Sequence, residues 1–465
     1  TTALSLNRDV YDAVLAVNVD DADADTQRLK EETLRSYRRS GVDKDEATRA
    51  RITELQEEIL LIGQEFQRNI REDNRFVLFD SVEDLAGLPQ DYIDAHAPDE
   101  NGKIKVTTAY PDYLPFIKYA KNTAARQRLY MEFNNRGYPK NTETFGKLLA
   151  ARYELARLLG FDNWAEYITD DKMVGSAKNA ADFVTKLDEA CKDRAARDMA
   201  ALLKRKQKDD PSATVVQDYE KSFYQELVKA EQFDFDSQEL RNYFPYEQVK
   251  QGIFDLTSTL FSVRYEKVTD APVWHESVEC YDLFEGDRRI GRFYLDMHPR
   301  DGKYGHAAQF NINRGVKGVQ DPVAALICNF PGGDGGPGLM EHGDVETFLH
   351  EFGHLLHSLF GGHQRWIDFS GVATEWDFVE APSQMLEEWS SDWSTLVTFA
   401  RHYQTGEPIS KQLVPMTAPE PPSGADRRAP AGRRCAAPAS CSNSSASSKR
   451  TWTNLPNFCP RNMAR

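Results

Sequence analysis

The sequence predicts a mainly α fold with a few short β-strands, and three observations carry that prediction. Apolar residues recur at steps of three and four through long segments of the first 160 positions. Strand-like runs, rich in β-branched and aromatic residues between Gly, Pro and Asp, are confined to positions 288–330. Directly after them comes "HEFGHLLHSLF", His350 to Phe360, an apolar helical stretch carrying three histidines that a core would not hold without something to bind them.

Taken in order, the acidic "VDDADADTQ" reads as a solvated loop or a helix start. In "RITELQEEILLIGQEFQRNI", Ile52, Leu55, Ile59, Ile62, Phe66 and Ile70 form one apolar stripe that faces a partner helix. "GLPQDY" and "APDENGKIKV" break the pattern as turns. A second helix covers "NTETFGKLLAARYELARLLGF" and ends at Gly160, a C-cap. The strands are "RRIGRFYLD", "GHAAQFNIN" and "PVAALICNF". "NFPGGDGGPGLMEHG" follows as a connection, because it lacks the GxxxxGK[ST] order of a phosphate loop.

Composition excludes several function classes. The formal charge of −16 argues against nucleic acid, which needs an excess of Lys and Arg on one face. No apolar run approaches the roughly 18 residues needed to span a bilayer. Cys191, Cys280, Cys328, Cys435, Cys441 and Cys459 include no CxxC pair, so they read as reduced, buried and incidental. The chain begins at Thr1 without a Met or a basic-then-apolar leader. That reads as a processed form or a fragment, with the cytoplasm as the expected compartment and the periplasm or secretion left open. From Met416 onward the composition turns to Ala, Pro, Ser and Arg, with net charge +6 against −22 for the preceding body. Disorder is the expectation there.

The histidine segment is expected to be a buried helix from Asp344 to Gly361, with Asp344 as N-cap, Glu346 at the positive end of the dipole and Gly361-Gly362 as the stop. His350 and His354 are four apart, so their rings lie on one face and can converge on one ion. Glu351 lies between them. This HExxH pattern suits zinc held by two imidazoles, with a carboxylate that reaches a bound water without ligating. "EWDFVEAPSQMLEEW" offers Glu380 as the third ligand. Two neutral histidines and one carboxylate leave the site at net +1, a charge that lowers the pKa of a bound water towards about 7. His357 reads as packing or support for a ligand. Glu346 reads either as orienting His350 or as favouring the dipole. Tyr304, Gly305 and His306 line a substrate path or simply pack against a sheet.

"FLHEFGHLLHSLF" followed by "DFVEAPSQMLEEW" resembles the thimet oligopeptidase and neurolysin family of zinc peptidases, which includes oligopeptidase A and peptidyl-dipeptidase Dcp. "AYPDYLPFIKYAKN", "GRFYLDMHPRDGKYGHAAQF", "ALICNFP" and "TFARHYQTGEP" are also similar, so the likeness covers about residues 10 to 415. The resemblance implies a two-lobed helical body with a deep substrate channel. It implies one zinc at the channel floor, ligated by His350, His354 and Glu380, with Glu351 as general base in the hydrolysis of short peptides. A monomer with no nucleic-acid or membrane partner is expected. The expected organisation is a helical region over 1–123, a catalytic region over 124–415 and a non-family tail over 416–465. Nothing after Pro415 resembles the family's Gly- and Tyr-rich loop, whose Tyr and His side chains stabilise the tetrahedral intermediate. A second reading therefore stands beside the working peptidase: a truncated, catalytically impaired relative that binds zinc and peptide.

Overall fold

A computed structural model describes residues 2–233, 237–333 and 335–414. The fold is mainly helical with a few short strands, as expected. None of its described helices is long and apolar enough to cross a membrane. Residues 416–465, where disorder was expected, and with them Cys435, Cys441 and Cys459, lie outside the described residues.

The N-terminal elements follow their sequence signals closely. Helix α1 spans Ala24–Ser40, and Asp23 from the acidic stretch caps it by accepting the Thr26 amide at 2.9 Å. Helix α2 runs Glu46–Glu72, capped by Asp45. Its apolar stripe buries Ile52, Leu55 and Ile62. Ile52 and Leu55 share a core with Ala151, Leu155 and Leu159 of helix α3, Lys140–Leu159. Fully burying each aliphatic side chain contributes roughly 1.5–3 kcal/mol. Gly160 ends α3 at φ +96°, a left-handed conformation that suits glycine. One expectation fails in this region. The segments read as turns lie between the strands of a two-stranded antiparallel sheet, Phe76–Phe79 with Ile104–Thr107: "GLPQDY" runs into the helix Gln90–Ala95, and "APDENGKIKV" ends inside the second strand, the four-residue strands being too short to show a period. Among the described cysteines, Cys191 is exposed, on the long helix Ala177–Asp209, whereas Cys280 and Cys328 are buried as expected.

The second half of the chain is organised around one sheet. Helix α4, Tyr246–Phe261, leads into strand β1, Val263–Lys267. Strands β2, Glu279–Glu285; β3, Arg288–Asp296; β4, Ala308–Asn313; and β5, Val323–Ile327, complete the sheet. The spatial order is β1-β2-β3-β5-β4, antiparallel except for the parallel β3–β5 pair, and it leaves β4 at an edge. Three of these strands were expected; β1 and β2 were not.

Helix α5, His342–Gly361, carries the histidines and packs on this sheet. Phe352 is fully buried among the rings of Phe254, Tyr265, Phe293 and Phe348. A Cβ built on Gly291 of β3 would come within 2.8 Å of Leu359, so the helix lies directly against the strand there. The helix starts two residues earlier than expected. Its N-cap is Glu341, and Asp344 is the third helical residue of a capping box, its carboxylate accepting the Glu341 amide at 2.9 Å. Lys118, from the N-terminal half, pairs with the Glu341 carboxylate. After α5 the chain turns back into the short helix α6, Ala381–Glu387.

Candidate metal centre

Helix α5 brings His350 and His354 together, and α6 brings Glu380 to them. The two imidazole rings lie edge to face with centroids 4.9 Å apart. Glu380 Oε2 sits 3.2 Å from His350 Nε2 and 3.0 Å from His354 Nε2. A tetrahedral zinc with ligand bonds of about 2.0–2.1 Å needs donor atoms about 3.3–3.4 Å apart. Among the described residues, His350, His354 and Glu380 form the group whose donor atoms, all within 4.8 Å of one another, can hold a metal ion. Two nitrogens and one oxygen suit a borderline-soft divalent cation with an open fourth position. The residues fit zinc.

Glu380 is the residue before α6, and its carboxylate is fixed locally. The buried Ser383 hydroxyl lies 3.0 Å from Glu380 Oε2 and 2.8 Å from its backbone carbonyl. The two helices meet at Gly353, between the histidines. A Cβ there would stand 2.7 Å from Ser383 Cα and 3.0 Å from the Pro382 carbonyl oxygen, so only glycine lets α6 approach this closely. The upstream loop is anchored too, with Asp377 accepting the amides of Met173 and Val174 at 3.1 and 2.9 Å.

Glu351 differs from Glu380 in burial and in hydrogen bonding. Glu380 is half exposed, whereas Glu351 is only 8% exposed and its Oε2 has no hydrogen-bond partner. Burial pushes its carboxyl above the ordinary range; His350 lowers it, Glu380 raises it, and the Gln309 amide of β4 lowers it again. A buried carboxylate oxygen without a partner is costly, and this one lies beside the group His350, His354 and Glu380.

The remaining sequence candidates separate. His357 lies outside the donor group; burial and His354 lower its pKa, and its Nδ1 is buried without a partner. Glu346 shares a small pocket with Thr347, His350 and Glu387. The partner of His350 Nδ1 is Glu387, at the last residue of α6, which sequence reasoning missed. Tyr304 and His306 sit beside the sheet. Their rings lie 5.4 Å apart, Tyr304 meets Phe310 edge-on, and both carbonyls accept from Asn329. Ser383, Gln309 and Gly353 were also missed. The one sequence signal for any of them was the glycine between two ligand candidates on an otherwise apolar helix.

Comparison with known proteins assigns the chain to a family. The profile of Peptidase family M3 matches residues 116–418. Saccharolysin of Saccharomyces cerevisiae is 30% identical over 446 residues, covering 88% of this chain and 62% of the relative. Thimet-like oligopeptidase of Dictyostelium discoideum is 31% identical over 86% of this chain and 63% of its own length. Oligopeptidase A of Haemophilus influenzae is 31% identical over 89% and 64%. This chain thus spans under two thirds of each relative's length. With the family profile matched over more than half of its residues, this chain belongs to Peptidase family M3.

Proposed function

We propose that this chain is a zinc-dependent oligopeptidase that hydrolyses peptide bonds in short, unstructured peptides. The observation that carries this reading is the convergence of His350, His354 and Glu380 beside a buried Glu351 with an unpartnered oxygen. The names of the relatives, saccharolysin and oligopeptidase among them, support it.

In this reading His350, His354 and Glu380 hold the ion, with Ser383 steadying the carboxylate. Zinc bound there supplies Lewis acidity, polarising a carbonyl and making water a usable nucleophile near neutral pH. Glu351 takes the proton from the attacking water and passes it to the departing amine. Strand β4 contributes twice. Its Gln309 amide holds Glu351, and its exposed edge position offers backbone groups to an extended peptide, which can add as a further strand.

The division into 1–123, 124–415 and 416–465, a channel that admits only unfolded peptides, a monomeric state and a cytoplasmic location are finer parts of the same proposal. An assay with an internally quenched peptide tests it. Cleavage that stops with a chelator and returns with zinc is the expected result. Zinc binding without cleavage identifies the impaired relative, and cleavage indifferent to chelator refutes the metal reading.

A further inference from the structure

The geometry points to Glu387 as the positioning residue of the metal centre, holding His350 in the tautomer and orientation that present Nε2 to the ion. This inference rests on the metal-site reading above.

An imidazole has two nitrogens on divergent edges, and only a deprotonated one can ligate. A ring that offers Nε2 to a cation must carry its proton on Nδ1, and that proton needs an acceptor. His350 Nδ1 bonds Glu387 Oε1, while Nε2 of the same ring faces Glu380 Oε2 at 3.2 Å. The ring is therefore clamped between two carboxylates, one at the N-cap of α6 and one at its last residue. Glu380 and Glu387 stand seven residues apart, two turns, and so share a face. One docking event, α6 against α5 at Gly353, sets both.

The clamp matters because the Nδ1 side of His350 is open. The ring is 25% exposed and borders a pocket lined by Glu346, Thr347 and Glu387. Without Glu387, water would solvate Nδ1–H, and the ring would be free to rotate or to move its proton to Nε2. Outer partners of this kind typically change metal affinity by about 10–100-fold. Glu346 lies on the same pocket wall, four residues before His350 on the same helix. His350 Nδ1 bonds Glu387 all the same, so Glu346 provides an internal control of equal charge.

The experiment measures zinc affinity by competition with a chromophoric chelator, together with thermal unfolding of the metal-free chains. Glu387→Ala removes charge and acceptor, Glu387→Gln keeps an acceptor oxygen without the charge, and Glu346→Ala is the control. The expected result is zinc binding weakened about 10–100-fold by Glu387→Ala and less by Glu387→Gln, with Glu346→Ala close to wild type. The three metal-free variants should unfold near the wild-type temperature. Wild-type zinc affinity in either Glu387 variant overturns the inference, as does an equal loss in Glu346→Ala. If Glu387→Ala fails to fold, Glu387→Gln, close to it in shape, decides the matter. A wild-type chain that takes up no zinc overturns the metal-site reading and this inference with it.

Discussion

Replacing Gly353 with Ala tests whether the contact between α5 and α6 sets the metal centre. The added Cβ would lie 2.7 Å from Ser383 Cα, 3.0 Å from the Pro382 carbonyl oxygen and 3.3 Å from Ser383 N, all of them backbone atoms of the first turn of α6. Ordinary contact begins at 3.4 Å, so α6 must retreat by about 0.7 Å from Ser383 Cα. Glu380 moves with it, because Ser383 Oγ holds its carboxylate, whereas His350 and His354 stay on α5. The donor separations of 3.2 and 3.0 Å would each open towards about 3.7–3.9 Å, beyond the roughly 3.3–3.4 Å that a zinc ion spans. Two terms act on stability in opposite senses. Overpacking costs about 1–3 kcal/mol, and the better helix propensity of Ala returns about 1 kcal/mol. The metal-free chain should therefore lose at most about 2 kcal/mol. Zinc affinity should fall at least about 10-fold, since each 1.4 kcal/mol of lost ligand geometry is tenfold. Gly343→Ala, on the same helix with nothing within 4 Å of its Cβ, should leave zinc binding unchanged. Chelator competition and unfolding in EDTA measure the two quantities separately. A Gly353→Ala chain that binds zinc within about twofold of wild type refutes the reasoning.

Changing Glu351 to Gln should leave zinc bound while turnover falls about 10²–10⁴-fold, the usual contribution of a general base; retained cleavage sinks the assignment. His354→Ala should lose the ion, which elemental analysis of the purified chain reads directly. Burial, and then Glu341, push the Asp344 carboxyl up to about 6, against the Glu341 amide, Lys118 and Arg241. Between about 4, its pKa when unfolded, and about 6 the native state holds a proton that the unfolded state has lost, so this group's contribution to stability falls as pH rises through that window. The stability difference between wild type and Asp344→Asn should fall with it, and a flat difference contradicts the shift. Phe352→Ala should cost about 3–5 kcal/mol in urea unfolding, since that ring is fully buried against four others.

Features that depend on neighbours within a few residues were legible in the sequence, and those that depend on a distant partner were not. The stripe of α2, the Gly160 stop and the strand Arg288–Asp296 are local signals, and the structure matches them. Strand β2, "ECYDLFE", escaped because a buried strand is not expected to contain Asp282. That carboxylate is tolerable only because Arg292, its cross-strand partner on β3, meets it with two hydrogen bonds of 2.7 and 2.9 Å. The start of α5 was misplaced for a similar reason. Asp344 is a good cap by residue type, but the capping box with Glu341 satisfies two amides where a single cap satisfies one.

The same contrast runs through the metal centre. His350 and His354 face one another by helix geometry alone, so they could be paired from their spacing. The outer partner of His350 could not. Reading along one helix favours Glu346, one turn earlier, and nothing in "QMLEEW" separates Glu387 from Glu388. The choice follows from a constraint at the other edge of the ring. Once Nε2 faces Glu380, the direction of Nδ1 is set, and it looks across to the far end of α6. The helix that brings Glu380 to the histidines at its start then brings the acceptor two turns on. Which carboxylate serves is decided by where α6 docks, at Gly353, a residue that has no chemistry of its own.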